Sequence, residues 1–230
     1  MPVQVTFLGH SGFLIRNAEH TLVIDPFLTG NPTATHKAED IACDYVILTH
    51  GHGDHVGDGI SIAKRHDATL IAPYELATWC EWQGVNNTHP MHLGGAFNFP
   101  FGRVKLTLAI HGSAIIQDKN IIYAGNPCGV LITIEGKTIY HAGDTGLFYD
   151  MKLIGEINNI DLALLPIGGN FTMDIEDAVM AGHLLGAKTI IPMHYNTFGL
   201  ITADPQEFVT KCKARDMHAV VLGAGEHYDL

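Results

Sequence analysis

Six consecutive residues, His50-Gly51-His52-Gly53-Asp54-His55, place four ligand-type side chains together with only glycines between them. Neutral imidazoles and carboxylates, with no thiolate among them, suit zinc, manganese or iron. Glycine permits unusual backbone angles and keeps bulk away from a crowded centre. His50 and His52 can turn toward one ion while Asp54 and His55 turn toward a second. Four side chains cannot close two coordination shells, so further ligands must come from elsewhere. His111 in AIHGS, Asp144 in HAGDT and His194 in IPMHYN each follow a strand-like apolar run. Adjacent strand ends would bring all three to one rim of a sheet. Seven ligands divided between two ions leave coordination positions open, which marks a catalytic site. A hydroxide shared between ions ~4 Å apart is a nucleophile at neutral pH, and the ions polarise the bond it attacks. Asp54 is the candidate catalytic residue, placed to orient that water or take its proton.

The elements that must position these residues are legible from turn signals and periodicity. Strands are expected at Val3–Leu8, Phe13–Arg16, Thr21–Ile24, Asp44–Thr49, Thr69–Ala72 and Val104–Ile110, with a hairpin of Gly129–Glu135 and Lys137–Tyr140. Helices are expected at Gly57–His66 and Tyr74–Gln83. The last third reads as strand Asp161–Pro166, helix Ile175–Leu185, strand Thr189–Pro192, helix Pro205–Ala214 and strand Ala219–Leu222. Hairpins first and βα units later indicate an α+β domain of layered sheets and helices. No linker or charge run divides residues 1–230, so one domain is expected. DYVILTH resembles KTIIPMH, and TLVIDP resembles TIYHAGD, a short signal of internal duplication.

The chain has 230 residues, 47% of them hydrophobic, which excludes a disordered chain. Its formal net charge of -11, with Lys+Arg at 13, opposes an anionic membrane surface and disfavours nucleic acid without excluding it. Divalent ions in a cleft would still admit a small anionic substrate. No basic segment followed by a long apolar run opens the chain, and no stretch approaches the ~20 apolar residues of a membrane helix. Cys43, Cys80, Cys128 and Cys212 are scattered, so reduced, buried thiols in a cytoplasmic protein are expected. A small-molecule substrate and self-association complete the expected partners.

The motif HGHGDH matches the HxHxDH pattern of the metallo-β-lactamase superfamily, and the later His, Gly-Asp-Thr and His follow in that superfamily's order. More narrowly, LGHSGF, LVIDPFLTGNP, LTHGHGDH, YHAGDTGLF and MHYNTF resemble a family of compact metal-dependent hydrolases related to ascorbate-6-phosphate lactonase. The resemblance implies a four-layer αβ/βα sandwich of two mixed sheets flanked by helices, with a dinuclear centre at one edge. It implies that His50, His52 and His111 hold the first ion, that Asp54, His55 and His194 hold the second, and that Asp144 bridges both. Zinc is the expected ion, with manganese or iron as alternatives. The implied activity is metal-dependent hydrolysis of a lactone or ester, or of another small anionic substrate. Phosphodiester or nuclease chemistry on the same ions is the alternative, and a non-catalytic metal-dependent binder a third. At 168–174 the chain reads GGNFTMD where the family usually reads GDNFTMG, which questions any role for an acid at 169.

Several residues carry two readings. Asp25 could receive the free N–H of a ligand histidine or simply cap a turn before Pro26. His10, before Ser11-Gly12, could contact substrate or serve its turn. His141 is expected to pack or to support a ligand rather than bind metal. Asn196 and Thr197 could reach substrate or cap the turn after His194. His36 and His92 could border the cleft, whereas Cys128 is expected to be an inert small hydrophobe.

Overall fold

A computed structural model of the protein describes residues 2–230. Side chains alternate across a strand, and in β1 (Gln4–Gly9), β2 (Gly12–Arg16) and β3 (Thr21–Ile24) this alternation builds two cores. Val5, Phe7, Phe13, Ile15, Leu22 and Ile24 enter the larger one. Leu8, Leu14 and Val23 enter the smaller. The meander continues through β4 (Tyr45–Ile47), β5 (Thr69–Pro73) and β6 (Thr88–Met91), which run parallel to β3. Helices α2 (Gly59–His66) and α3 (Tyr74–Trp82) make the crossovers, and Ile62, Leu76 and Cys80 close the smaller core against that face of the sheet.

The second sheet repeats the plan. Strands β7 (Ala96–Phe99), β8 (Gly102–Leu108), β11 (Cys128–Ile134) and β12 (Lys137–His141) are antiparallel neighbours. Strands β13 (Leu162–Pro166) and β14 (Thr189–Met193) then join parallel to β12. Helices α4 (Met151–Ile157), α5 (Ile175–Leu185) and α6 (Pro205–Lys213) accompany this sheet, with Ala178, Val179 and Phe208 packed into the larger core. Asp174 caps α5 by accepting from Asp177 N at 3.0 Å, and Gly186 ends it in the left-handed region. Helices outside two mixed sheets give the expected four-layer α+β sandwich.

Five departures from the expected elements have physical causes. The helix expected at Gly57–His66 starts at Gly59, and a separate turn, α1 (Gly53–Val56), precedes it and stops at Gly57, whose φ of 41° and approach to Pro26 exclude a side chain. Ala219–Leu222 is no strand beyond one bridge between Ala219 and Ile190. The chain must leave β14 there and cross to β1, where β15 (His227–Asp229) pairs antiparallel. Strands β6 and β7, which the sequence reading does not assign, lie at sheet edges, and β6 carries Pro90, which an edge tolerates. Helix α4 is not assigned from the sequence, since its seven residues follow a turn without a capping side chain. The hairpin of β9 (Ala114–Gln117) and β10 (Asn120–Tyr123) turns through Asp118 and Lys119, both at positive φ, instead of an Asn-Gly pair.

Strands β8 and β12 both run antiparallel to β11, and β14 runs with β12. Their C-terminal ends therefore share one edge of the second sheet. The segment after β4 meets them from the first sheet.

Candidate metal centre

The segment from β4 carries Thr49 and His50 into α1, whose short turn presents Asp54 and His55. His50 Nε2 lies 3.0 Å from His52 Nδ1, which lies 3.3 Å from His111 Nε2. Three lone-pair-bearing nitrogens thus face one another. A second group gathers His10, Asp54, His55 and His194. Asp144 spans the two: its Oδ1 is 3.2 Å from His55 Nε2, while its Oδ2 is 3.0 Å from His194 Nε2 and 3.5 Å from His111 Nε2. The structure therefore brings together all seven residues read from the sequence.

A relay of hydrogen bonds aims two of these rings. Asp25 Oδ1 accepts from Thr49 N at 2.9 Å, and its Oδ2 accepts from the Thr49 hydroxyl at 2.6 Å and from His55 Nδ1–H at 2.8 Å. The Thr49 oxygen in turn accepts from His50 Nδ1–H at 3.0 Å. Both rings are thereby left with Nε2 facing the centre. Asp25 does what the orienting reading expected, and its place in the chain explains how: it ends β3, next to β4. Thr49 was not singled out from the sequence; its only signal is its place directly before His50.

His10 is fixed at both ring nitrogens. Nε2–H donates to Asp54 Oδ2 at 3.0 Å, and Nδ1 accepts from the Thr197 hydroxyl at 2.9 Å. His10 O also accepts from His194 N at 2.7 Å, tying the first sheet to the second. His10, Asp25 and His194 adopt φ of 57°, 43° and 54°, a left-handed backbone that non-glycine residues seldom hold. Such strain costs about 1–3 kcal/mol per residue and persists where surrounding structure fixes it.

His141 is buried, donates from Nε2 to Ser11 O at 2.9 Å and accepts from Gly143 N at Nδ1 at 3.1 Å, so neither nitrogen is free for a metal. Asn196 is turned away: its amide spans Ala203 N and O, each at 3.0 Å, and closes the loop after His194. His92 stacks on Tyr74, and His36 bonds Thr35. All four cysteines are free and buried, and burial raises the Cys128 thiol well above its ordinary range. At 168–174, Gly169 adopts φ 67° and Asp174 is the α5 cap, so no acid stands at 169.

Charges explain the ionisation of the set. Burial lowers His10 to about 4, and burial lowers His50 well below the imidazole range. Burial also opposes the charged form of His55, but Asp144 and Asp25 outweigh it and hold His55 well above that range. For Asp144 burial is outweighed by His55 and His194, and for Asp54 by His10 and His55, so both carboxyls stay well below theirs. His55 Nε2, Asp144 Oδ1 and His194 Nδ1 are nevertheless buried without a hydrogen-bond partner. Orphaned buried polar atoms are costly, and two of these three face each other across the middle of a histidine and carboxylate set. That donor set fits divalent first-row ions.

A family model described as a β-lactamase superfamily domain matches residues 20–195. A UPF0173 metal-dependent hydrolase of Bacillus thuringiensis subsp. konkukian is 55% identical over 99% of this chain and 100% of its own. A second, from Bacillus mycoides, is 56% identical over the same shares. The solved structure of Igni18, a metallo hydrolase from the archaeon Ignicoccus hospitalis, superposes with a TM-score of 0.89 at 37% identity, covering 100% of this chain and 99% of that one. The chain belongs to the metallo-β-lactamase superfamily and, within it, to the UPF0173 metal-dependent hydrolases.

Proposed function

We propose that the protein is a metal-dependent hydrolase with a dinuclear centre that opens a small lactone or cleaves a small ester. The observation that carries the reading is Asp144, whose buried carboxylate faces histidines of both groups, Oδ1 toward His55 and Oδ2 toward His111 and His194. His50, His52 and His111 would hold one ion, Asp54, His55 and His194 the other, and Asp144 both. Zinc is the expected ion, with manganese or iron as alternatives. Bound ions would supply a water deprotonated near neutral pH and a positive charge at the attacked bond.

The chain's own residues supply orientation. The Asp54 side chain is 28% exposed, against 0% for His55 and 3% for Asp144, so it is the carboxylate open to an arriving water. His10 occupies Asp54 Oδ2 with its N–H and so restricts which way that carboxylate faces. Asp25 and Thr49 take the Nδ1–H of His55 and His50 and so keep Nε2 of both rings turned toward the centre. The choice of lactone or ester over phosphodiester rests on the sequence resemblance to ascorbate-6-phosphate lactonase. No helix among the described residues is long and apolar enough to cross a membrane.

The test is to strip the protein with chelator, reload it with each metal, and assay lactones, carboxylic esters and phosphodiesters. About two ions per chain and metal-restored turnover of a lactone or ester are expected. Saturation at one ion with His194→Ala unchanged would end the dinuclear reading. Metal-restored turnover confined to phosphodiesters would end the substrate reading.

A further inference from the structure

Two phenylalanine rings pack beside the centre. Phe27 lies two residues past Asp25 and Phe198 four past His194, so the segments that position the site also carry these rings. Both pack on His10, with ring centroids 5.7 Å and 5.4 Å away, and lie 6.2 Å from each other at an interplanar angle of 34°. Phe198 is 40% exposed, and Leu200 beside it is 68% exposed. Exposed apolar side chains grouped beside a set of ligand-type residues mark a surface that a ligand covers. The charged neighbours that set the ionisation of His10, His50, His55, Asp54 and Asp144 are histidines and aspartates, with no lysine or arginine among them. The lysine ion pairs found among the described residues lie elsewhere, on Glu156, Asp161, Glu176 and Glu207. The charged groups at the centre are thus the histidines and aspartates of the site itself, and Phe27 and Phe198 add apolar surface beside them.

The geometry points to an ester or lactone carrying an alkyl or aryl arm, with Phe27 and Phe198 as the residues that select the arm. This rests on the hydrolase reading above. In the reaction the water oxygen bonds to the carbonyl carbon, the carbon–oxygen ester bond breaks, and the leaving oxygen takes the proton that the water gives up. The arm lies along the two rings and fixes the carbonyl relative to Asp54.

A series of p-nitrophenyl esters from acetate to octanoate tests this on zinc-loaded protein, together with calorimetric binding of the matching alkanoates. Apolar contact is worth about two- to fourfold per methylene when largely buried. Both kcat/KM and alkanoate affinity are therefore expected to climb with chain length. Phe198→Ala and Phe27→Ala should flatten both slopes, and Phe198→Leu should recover part of them. Metal content and circular dichroism of each variant identify a folding defect, and the conservative leucine variant keeps the question open to measurement in that case. Metal-dependent turnover with flat slopes in wild type would overturn the apolar subsite alone. Absence of metal-dependent turnover of every ester together with flat alkanoate binding would overturn both readings. Absence of turnover with a rising, Phe198-dependent binding slope would overturn the hydrolase reading and keep the apolar subsite.

Discussion

Asp25 Oδ2 accepts from His55 Nδ1–H at 2.8 Å, and both side chains are fully inaccessible to solvent. The carboxylate also holds Thr49, and through it His50, so one buried charge orients rings in both ligand groups. Partners of this kind fix ring orientation and raise ligand basicity, and losing one costs about 10- to 100-fold in metal affinity. Asp25→Asn keeps the volume and tolerates the φ of 43°. It should bind metal about 10- to 100-fold more weakly with little change in fold. A competitive chelator titration beside a thermal melt checks this, and unchanged affinity would show that Asp25 is only a turn residue.

Asp144→Asn is expected to be the more damaging of two carboxylate changes. Asp144 faces His55, His111 and His194, whereas Asp54 faces His10, His55 and His194. Removing the charge that serves both groups, at a site where Coulomb interactions are weakly screened, should weaken binding of both ions. Asp54→Asn should leave one ion bound. Elemental analysis of the two variants, loaded side by side, decides the matter: equal metal content in both would remove the bridging role.

The glycines of the ligand motif are unequal. A Cβ on Gly51 would sit 2.5 Å from Ala124 Cβ and 3.1 Å from the Ala114 carbonyl carbon, in the base of the β9–β10 hairpin. A Cβ on Gly53 would meet nothing within 4 Å. Gly51→Ala should cost about 1–3 kcal/mol and weaken metal binding, because the hairpin or His50 and His52 must move. Gly53→Ala should change stability by less than about 1 kcal/mol. Denaturant melts with metal content for both variants test this, and a harmless Gly51→Ala would show that the hairpin yields freely.

That contrast shows where sequence reasoning stops. Glycine spacing announced a crowded centre, but which glycine is obligatory depends on a hairpin more than sixty residues away whose turn, Asp118-Lys119, carries no strong signal. His50, His52, Asp54 and His55 were legible because the motif sets them side by side, and His111, Asp144 and His194 because each follows a strand whose end shares the same edge. Thr49 and the tautomer relay were not, because hydrogen bonds between neighbouring strands leave no periodicity. Edge strands β6, β7 and β15 escaped for the opposite reason, since a strand with one open side need not read as apolar. Of the similar strings, those at β3 and β12 hold equivalent places, since each strand ends an antiparallel meander and starts a parallel run; those at β4 and β14 do not, because β4 pairs directly with β3 whereas β13 lies between β12 and β14.

The last prediction concerns acid and the metal-free protein. His10 is buried and neutral, with its pKa lowered to about 4 from an unfolded value of 6.5, burial being the main cause. Between those values the unfolded chain binds a proton that the folded chain refuses. Stability therefore rises with pH across this window and is lost as pH falls from 6.5 toward 4. At 1.36 kcal/mol per pKa unit, His10 accounts for a loss of up to about 3 kcal/mol. His10→Gln keeps an N–H for Asp54 and cannot titrate, so its stability should fall less over the same window. Urea melts of chelator-treated wild type and variant at half-unit steps from pH 7 to pH 4 would measure the difference. Parallel stability curves for the two proteins would mean that His10 is protonated as readily inside the fold as outside it, and that its neutral hydrogen bond to Asp54 is misassigned.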